Sequence, residues 1–166
     1  MTQSSSTHFN DDMKYLMSDS IIPIHVSLWI KSIQKNPLLL ARLLKLDVES
    51  VKESLALLER MGLIQLDNKT SEVLKIENRR THFGKEHPLT RTHQLLMKTA
   101  MNQKSFSFPE EQKENFFITF TTDKNGFEKI KIEIKNFISS VQNISFSGEH
   151  TGTYQMNLDL LELFRV

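Results

Sequence analysis

A switch in hydrophobic period at Gly62 is the sequence feature that most constrains the fold. Before it, apolar residues recur every three or four positions, which indicates one stripe of an α-helix over residues 47–61. The stripe consists of Val48, Val51, Leu55 and Leu58. Asp47 is a good N-cap, because its carboxylate can accept hydrogen bonds from amides that lack an intrahelical partner. Gly62 suits the end of the helix, since glycine tolerates left-handed backbone.

The segments on either side of this helix give a defined order of elements. A preceding helix is predicted from Pro37 to about Lys45, so only a short connection separates the two helices, as a helix-turn-helix requires. After Gly62 the period becomes that of a strand, in residues 63–66 and again in 73–76. The polar run between these two segments favours a hairpin turn.

Residues 41–67, ARLLKLDVESVKESLALLERMGLIQLD, resemble the winged helix-turn-helix transcription regulators. The upstream segment Leu28-Trp29-Ile30 and the run 154–159 are similar to a poorly characterised bacterial family. Its members join a winged helix to a C-terminal α/β extension and are described as regulators. The resemblance implies an architecture and a regulatory role, but neither a ligand nor a target. Pattern and resemblance together predict an α+β fold, a winged helix-turn-helix followed by a small strand–helix–strand unit.

Composition divides the chain into four expected parts. Residues 1–12 are rich in Ser, Thr and Asp and are predicted to be a disordered tail. The winged helix-turn-helix domain follows over residues 13–77. Residues 78–112 form a basic linker and a helix, and the net charge over 78–105 is +5. Residues 113–166 form the strand–helix–strand unit.

Two further helices are predicted from apolar spacing. Residues 22–33 are predicted to open the winged domain, with Trp29 as a core residue. In the C-terminal unit a helix over 127–141 lies between strands at 116–121 and 154–160. Exposing its apolar stripe to water would be costly, so we expect self-association into a homodimer. Packing of the stripe against the winged domain of the same chain is the alternative.

Several classes of protein are excluded or disfavoured by composition. With 166 residues and no cysteine, the chain has neither disulfides nor thiolate metal sites. No apolar run reaches the roughly 18 residues of a membrane span, and the N-terminus lacks an export signal, so a cytoplasmic protein is expected. Enzyme motifs are absent and no cofactor is expected. The spacing of His82, His87 and His93 matches no standard metal site, so none is predicted.

Two functions remain open. One is a non-enzymatic transcription regulator that binds double-stranded DNA. Its candidate DNA-binding residues are Lys52, Arg60, Lys69, Lys75, Arg79 and Arg80. The other is a winged-helix module for protein interaction or ligand sensing that does not bind DNA. This second function is favoured by the solvent face of helix 47–61, because Glu49 and Glu53 lie there beside the cations and would repel phosphates.

Overall fold

The computed structural model describes residues 3–77 and 88–164, with side chains from residue 9 onward. Within these ranges it contains seven α-helices, one 3-10 turn and one antiparallel sheet of two strands, which confirms the predicted α+β class. The chain divides into two compact units. We call Met1–Gln103 with His150–Gln155 the first unit, and Lys104–Glu149 with Met156–Val166 the second unit.

The elements follow one another in a simple order. The helices are α1 (Gln3–Met17), α2 (Ile21–Ser27), α3 (Lys31–Lys35), α4 (Leu39–Leu43), α5 (Val48–Arg60), α6 (Thr90–Ser105) and α7 (Lys124–Phe146). The 3-10 turn is Glu110–Gln112. The strands β1 (Ile64–Leu66) and β2 (Val73–Ile76) form the predicted hairpin, with Ile64 opposite Ile76 and a register shift between Gln65 and Leu66.

Helix α5 begins and ends where the sequence predicts. Asp47 Oδ1 accepts a hydrogen bond from the Ser50 amide at 2.7 Å, and Asp47 Oδ2 accepts one from the Ser50 hydroxyl. Gly62, just after the helix, has the left-handed φ of 68° that turns the chain towards β1. Three residues of the predicted stripe, Val51, Leu55 and Leu58, are buried. Val48, the fourth, is exposed because it lies in the first turn.

The connection between α4 and α5 uses left-handed backbone at Lys45, whose φ is 56°. The Leu46 amide donates to the Ala41 carbonyl at 2.8 Å, the bond from beyond the helix end that typifies a Schellman turn. Glycine is the usual residue at such a position. For other L-residues the left-handed conformation costs on the order of 1–2 kcal/mol. Lys45 is therefore a costly residue for this turn.

The sequence predicts one continuous helix over residues 22–33. This prediction is wrong, because the chain forms two helices there, α2 and α3. Ile30, between them, has extended backbone with φ −80° and ψ 118°. The Ser27 hydroxyl donates to the Pro23 carbonyl at 2.7 Å. Such a contact from a serine to the carbonyl four residues earlier often bends a helix. No glycine or interior proline marks this break in the sequence.

The break changes which residues enter the core. Ile24 and Leu28 are fully buried. Trp29, predicted as a core residue, is only half-buried. Its ring meets the edge of the His150 ring, with centroids 6.4 Å apart. Thus a segment late in the chain covers part of Trp29 within the first unit.

The N-terminal segment requires a second correction. The sequence predicted a disordered tail over residues 1–12, whereas α1 runs through most of that range. Its last turn anchors it, because Tyr15 and Leu16 are buried. The Tyr15 hydroxyl and Nδ1 of buried His25 lie 3.1 Å apart, within hydrogen-bond distance. Burial also raises the pKa of Tyr15.

The second unit requires the third correction. The helix predicted over 127–141 is confirmed and longer, and Asp123 caps it by accepting from the Gly126 amide at 2.6 Å. The two strands predicted at 116–121 and 154–160 are wrong, since neither segment is assigned to a strand. Alternation of apolar residues predicts an extended segment, but a strand also needs a neighbour to pair with. Neither segment finds that neighbour among the described residues.

Candidate nucleic-acid interface

The outward face of α5 carries the mixed charge that the sequence predicts. The helix packs against α2, α4 and β1, which leaves the opposite face in solvent. The exposed residues of that face are Glu49, Lys52, Glu53, Ala56 and Arg60. Two carboxylates therefore accompany two cations on the surface that a groove-binding helix would present.

Three of the described candidate cations are paired with carboxylates. The pairs are Lys52 with Glu49 at 3.2 Å, Arg60 with Asp11 of α1 at 3.2 Å, and Lys75 with Glu77 at 2.7 Å. Each cation is about half exposed or more. Exposed ion pairs typically contribute only about 0–1 kcal/mol. A phosphate can therefore displace each carboxylate, although the displaced group stays nearby and repels the phosphate.

The fourth described candidate, Lys69, lies in the β1–β2 turn. Asp67 Oδ1 accepts from the amides of Thr70 and Lys69, each at 2.8 Å, which fixes the turn backbone. These bonds, with that of Thr70 the larger effect, lower the pKa of the Asp67 carboxyl. The Lys69 side chain is exposed. Arg79 and Arg80, the remaining candidates, lie outside the described residues.

A second group of cations, which sequence reasoning missed, lies immediately before α5. We call it the α3–α4 cation group, and it consists of Lys31, Lys35, Arg42 and Lys45. All four side chains are exposed, and none forms an ion pair with a carboxylate of the described chain. Lys31 and Lys35 are four residues apart, so they share one face of α3.

The sequence signal for this group is an absence of acids. Residues 20–46 contain these four cations and neither Asp nor Glu, which gives a net charge of +4. Net charge taken over the longer range 21–77 hides the group, because the acids of α5 and the hairpin nearly cancel it. The elements that precede α5 in the chain therefore carry a net positive charge that α5 itself lacks.

No metal site is assembled from the residues that the structure describes, since no three His, Asp or Glu side chains gather there. Of the three histidines whose spacing was considered, His82 and His87 lie outside the described residues. His93, the third, has Nδ1 at 2.7 Å from the Leu16 carbonyl oxygen, a bond that joins α6 to α1. His93 thus has a structural contact within the first unit.

No helix in the described ranges is both long and apolar enough to cross a membrane.

Comparison with known proteins gives a family and no activity. Neither a curated protein nor a solved structure matches the sequence. The model of a family described as a domain of unknown function, DUF4423, matches residues 2–163. Because that match covers nearly the whole sequence, the chain belongs to the DUF4423 family.

Proposed function

We propose that this protein is a cytoplasmic transcription regulator whose first unit is a winged helix-turn-helix that binds double-stranded DNA. The observation that carries the proposal is the α3–α4 cation group, two of whose members, Arg42 and Lys45, lie on α4 and in the turn that leads into α5. The order of elements supports it as well, because two helices joined by a tight turn precede a β-hairpin. In this assignment α5 is the recognition helix and the β1–β2 hairpin is the wing.

The division of labour follows from charge and position. A recognition helix lies in the major groove while the preceding helix crosses the phosphate backbone. The α3–α4 cation group would then contact phosphates and supply most of the affinity, because cations release the counterions condensed on DNA. Lys45 fits this role, since a positively charged residue occupies a left-handed position where glycine would be less strained.

The acids of α5 would have a different role. Glutamate beside phosphate is repelled, but in the major groove it can accept a hydrogen bond from the N4 amino group of cytosine. Glu53 is exposed and forms no ion pair with a described residue, so it is available for such a contact. The proposed site therefore combines sequence-independent affinity from α3–α4 with discrimination by α5.

The experiment measures duplex binding as a function of salt. The probe is a labelled mixture of random-sequence duplexes about three helical turns long. Affinity should fall steeply with salt, and each phosphate contact removed should reduce the log–log slope by about 0.9. Lys31→Gln and Arg42→Gln should each produce that change. Lys14→Gln removes an exposed cation from α1 and is the matched control.

Two outcomes contradict the proposal. One is an affinity for the wild-type chain no tighter than about 10⁻⁴ M at low salt, the weak end of non-specific binding. The other is an equal loss in all three variants, which would attribute binding to net charge alone.

The alternative function is a winged-helix module for protein interaction or ligand sensing that does not bind DNA. The ion pairs of Lys52, Arg60 and Lys75 favour it, because they neutralise three of the proposed contacts. Glu53→Gln separates the two functions. Removing a carboxylate from a DNA-facing helix should tighten binding to random duplex, whereas a module that avoids DNA would remain unable to bind.

A further inference from the structure

The second unit exposes most of its large apolar side chains. Across residues 104–149 and 156–164 no side chain is buried. The most exposed of the large ones are Phe106 (89%), Phe116 (87%), Phe117 (92%), Leu163 (78%) and Phe164 (83%). Large apolar side chains left in water in this number are rare on a monomer and mark a surface that another molecule covers.

The exposed aromatic area of the second unit is close to the area that one partner contributes to a stable interface. A phenylalanine side chain buries on the order of 200 Å² when it is covered. At their exposed fractions, the four phenylalanines named above leave roughly 700 Å² of surface in water. One partner of a standard-size interface contributes about 800 Å². These side chains alone thus approach what a specific dimer requires, before the partly covered stripe of α7 is added.

Charge in the second unit is self-complementary. Helix α7 carries four lysines and two glutamates, a net charge of +2. The segment 107–123 before it has one lysine and four acids, a net charge of −3. Residues 156–164 contain two acids and no cation. Two copies can therefore place basic α7 of one chain beside acidic segments of the other, which a surface of a single sign could not do.

The backbone of residues 116–121 needs a hydrogen-bonding partner from another chain if it is to form a strand. Its apolar residues alternate as in a strand, yet it has no ladder partner among the described residues. Unpaired extended backbone readily pairs with another chain. Pairing with the same segment of a second copy satisfies both chains at once, because antiparallel pairing is compatible with a two-fold axis.

We propose that the second unit is a homodimerisation module, in which residues 116–121 of two chains pair antiparallel with Thr119 opposite its own copy, and in which this pairing covers the exposed side chains of Phe116 and Phe117. The partner is a second copy of this chain. The inference does not depend on DNA binding. Where DNA binding also holds, a two-fold dimer presents two first units to the two half-sites of a palindromic operator.

The first experiment uses the absence of cysteine from the chain. Thr119→Cys introduces a single thiol at the centre of the proposed register, where each Thr119 opposes its own copy. Directly opposed residues in an antiparallel pair have Cα atoms about 4.5–5.5 Å apart, within the range that a disulfide spans. Mild oxidation of the full-length variant should therefore form a covalent dimer. Thr99→Cys, an exposed position on α6, is the matched control. Equal cross-linking of the two variants would overturn the proposed pairing.

The second experiment measures association without a covalent bond. Sedimentation equilibrium of the wild-type chain should give a dimer with a dissociation constant near or below about 1 μM, as expected for an interface of this size. Phe117→Ser should weaken association about tenfold or more, because it removes a central aromatic anchor. Leu74→Ser, which removes an exposed apolar residue of the first unit, should leave it unchanged.

The same measurement identifies the opposite result. A wild-type chain that remains monomeric at about 100 μM would overturn the proposal, since even a micromolar dimer is well populated there. Equal weakening by Phe117→Ser and Leu74→Ser would overturn it as well. Circular dichroism of each variant verifies that the helices remain, so that a loss of association is not a loss of fold.

Discussion

Helices α5 and α7 have the same apolar spacing but different surroundings. Both repeat apolar residues at intervals of three and four, and both have an aspartate N-cap. In α5, Val51, Leu55 and Leu58 are buried by neighbouring elements of the first unit. In α7 no residue of the corresponding stripe is fully buried: Phe127, Ile130, Ile134 and Val141 are partly buried, and Phe137 is 48% exposed. Amphipathic spacing thus specifies a helix and the face that needs cover, while the cover itself depends on the rest of the molecule.

The difference extends to the cores of the two units. The first unit has one continuous core to which α1, α2, α4, α5 and the hairpin contribute. Its most buried side chains include Tyr15, Leu16, Ile24, Leu28 and Leu58. The described second unit has no such cluster. We therefore expect the stability of the first unit to come from contacts within one chain. That of the second unit should depend on association with a second copy.

The largest expected effect comes from the core of the first unit. Leu58→Ala removes a fully buried side chain and leaves a cavity, which should lower the free energy of unfolding by about 2–5 kcal/mol. Urea denaturation followed by circular dichroism measures this change. The loss should be the same at low and high protein concentration. A loss that grows on dilution would contradict the comparison between the units.

A smaller effect is expected from the stripe of α7. Ile134→Ala removes a partly buried side chain, so within one chain it should lower the free energy of unfolding by about 1–2 kcal/mol. In a dimer that covers the stripe, the loss should be larger and should depend on protein concentration. Thermal unfolding at two protein concentrations distinguishes these cases. Ser140→Ala, on the exposed side of α7, is the control.

Local signals account for what the sequence predicted correctly. The N-cap at Asp47, the glycine at the end of α5 and the turn at Asp67 each act within a few residues, so α5 and the hairpin were predictable. The α+β class follows from these same elements. The six candidate cations were chosen near α5 and the hairpin, and the carboxylates that pair with three of them were not predicted.

Tertiary contacts account for the errors. Helix α1 was hidden because its anchors, Tyr15 and Leu16, lie at the end of a polar segment. The break before Ile30 lies next to the bond from the Ser27 hydroxyl to the Pro23 carbonyl, a contact that apolar spacing does not specify. The strands of the second unit failed because pairing is a relation between segments. The α3–α4 cation group was missed for a simpler reason, since its net charge was averaged with that of α5.

The turn at Lys45 allows the proposed DNA contact to be separated from stability. Lys45→Gly relieves left-handed strain and should raise the free energy of unfolding by up to about 1 kcal/mol. It also removes one cation from the α3–α4 cation group, so duplex affinity should fall and the salt slope should decrease by about 0.9. A variant that is both more stable and weaker in binding would support a functional reason for lysine here. Unchanged affinity in a stabilised variant would remove Lys45 from the interface.

The smallest expected effect is the pH dependence contributed by the cap of α5. The Ser50 hydroxyl, and then the Ser50 amide, lower the pKa of Asp47 below its ordinary value of 3.8. A carboxyl whose pKa is depressed in the folded state stabilises that state at pH above its unfolded value, and the contribution is lost as pH falls through the folded value. Wild-type stability should therefore decline below about pH 4 by more than that of Asp47→Asn, which retains a capping oxygen but does not titrate. Thermal midpoints measured by circular dichroism from neutral pH to about pH 3 test this. Parallel pH profiles for the two proteins would show that the charge on Asp47 contributes nothing beyond its hydrogen bonds.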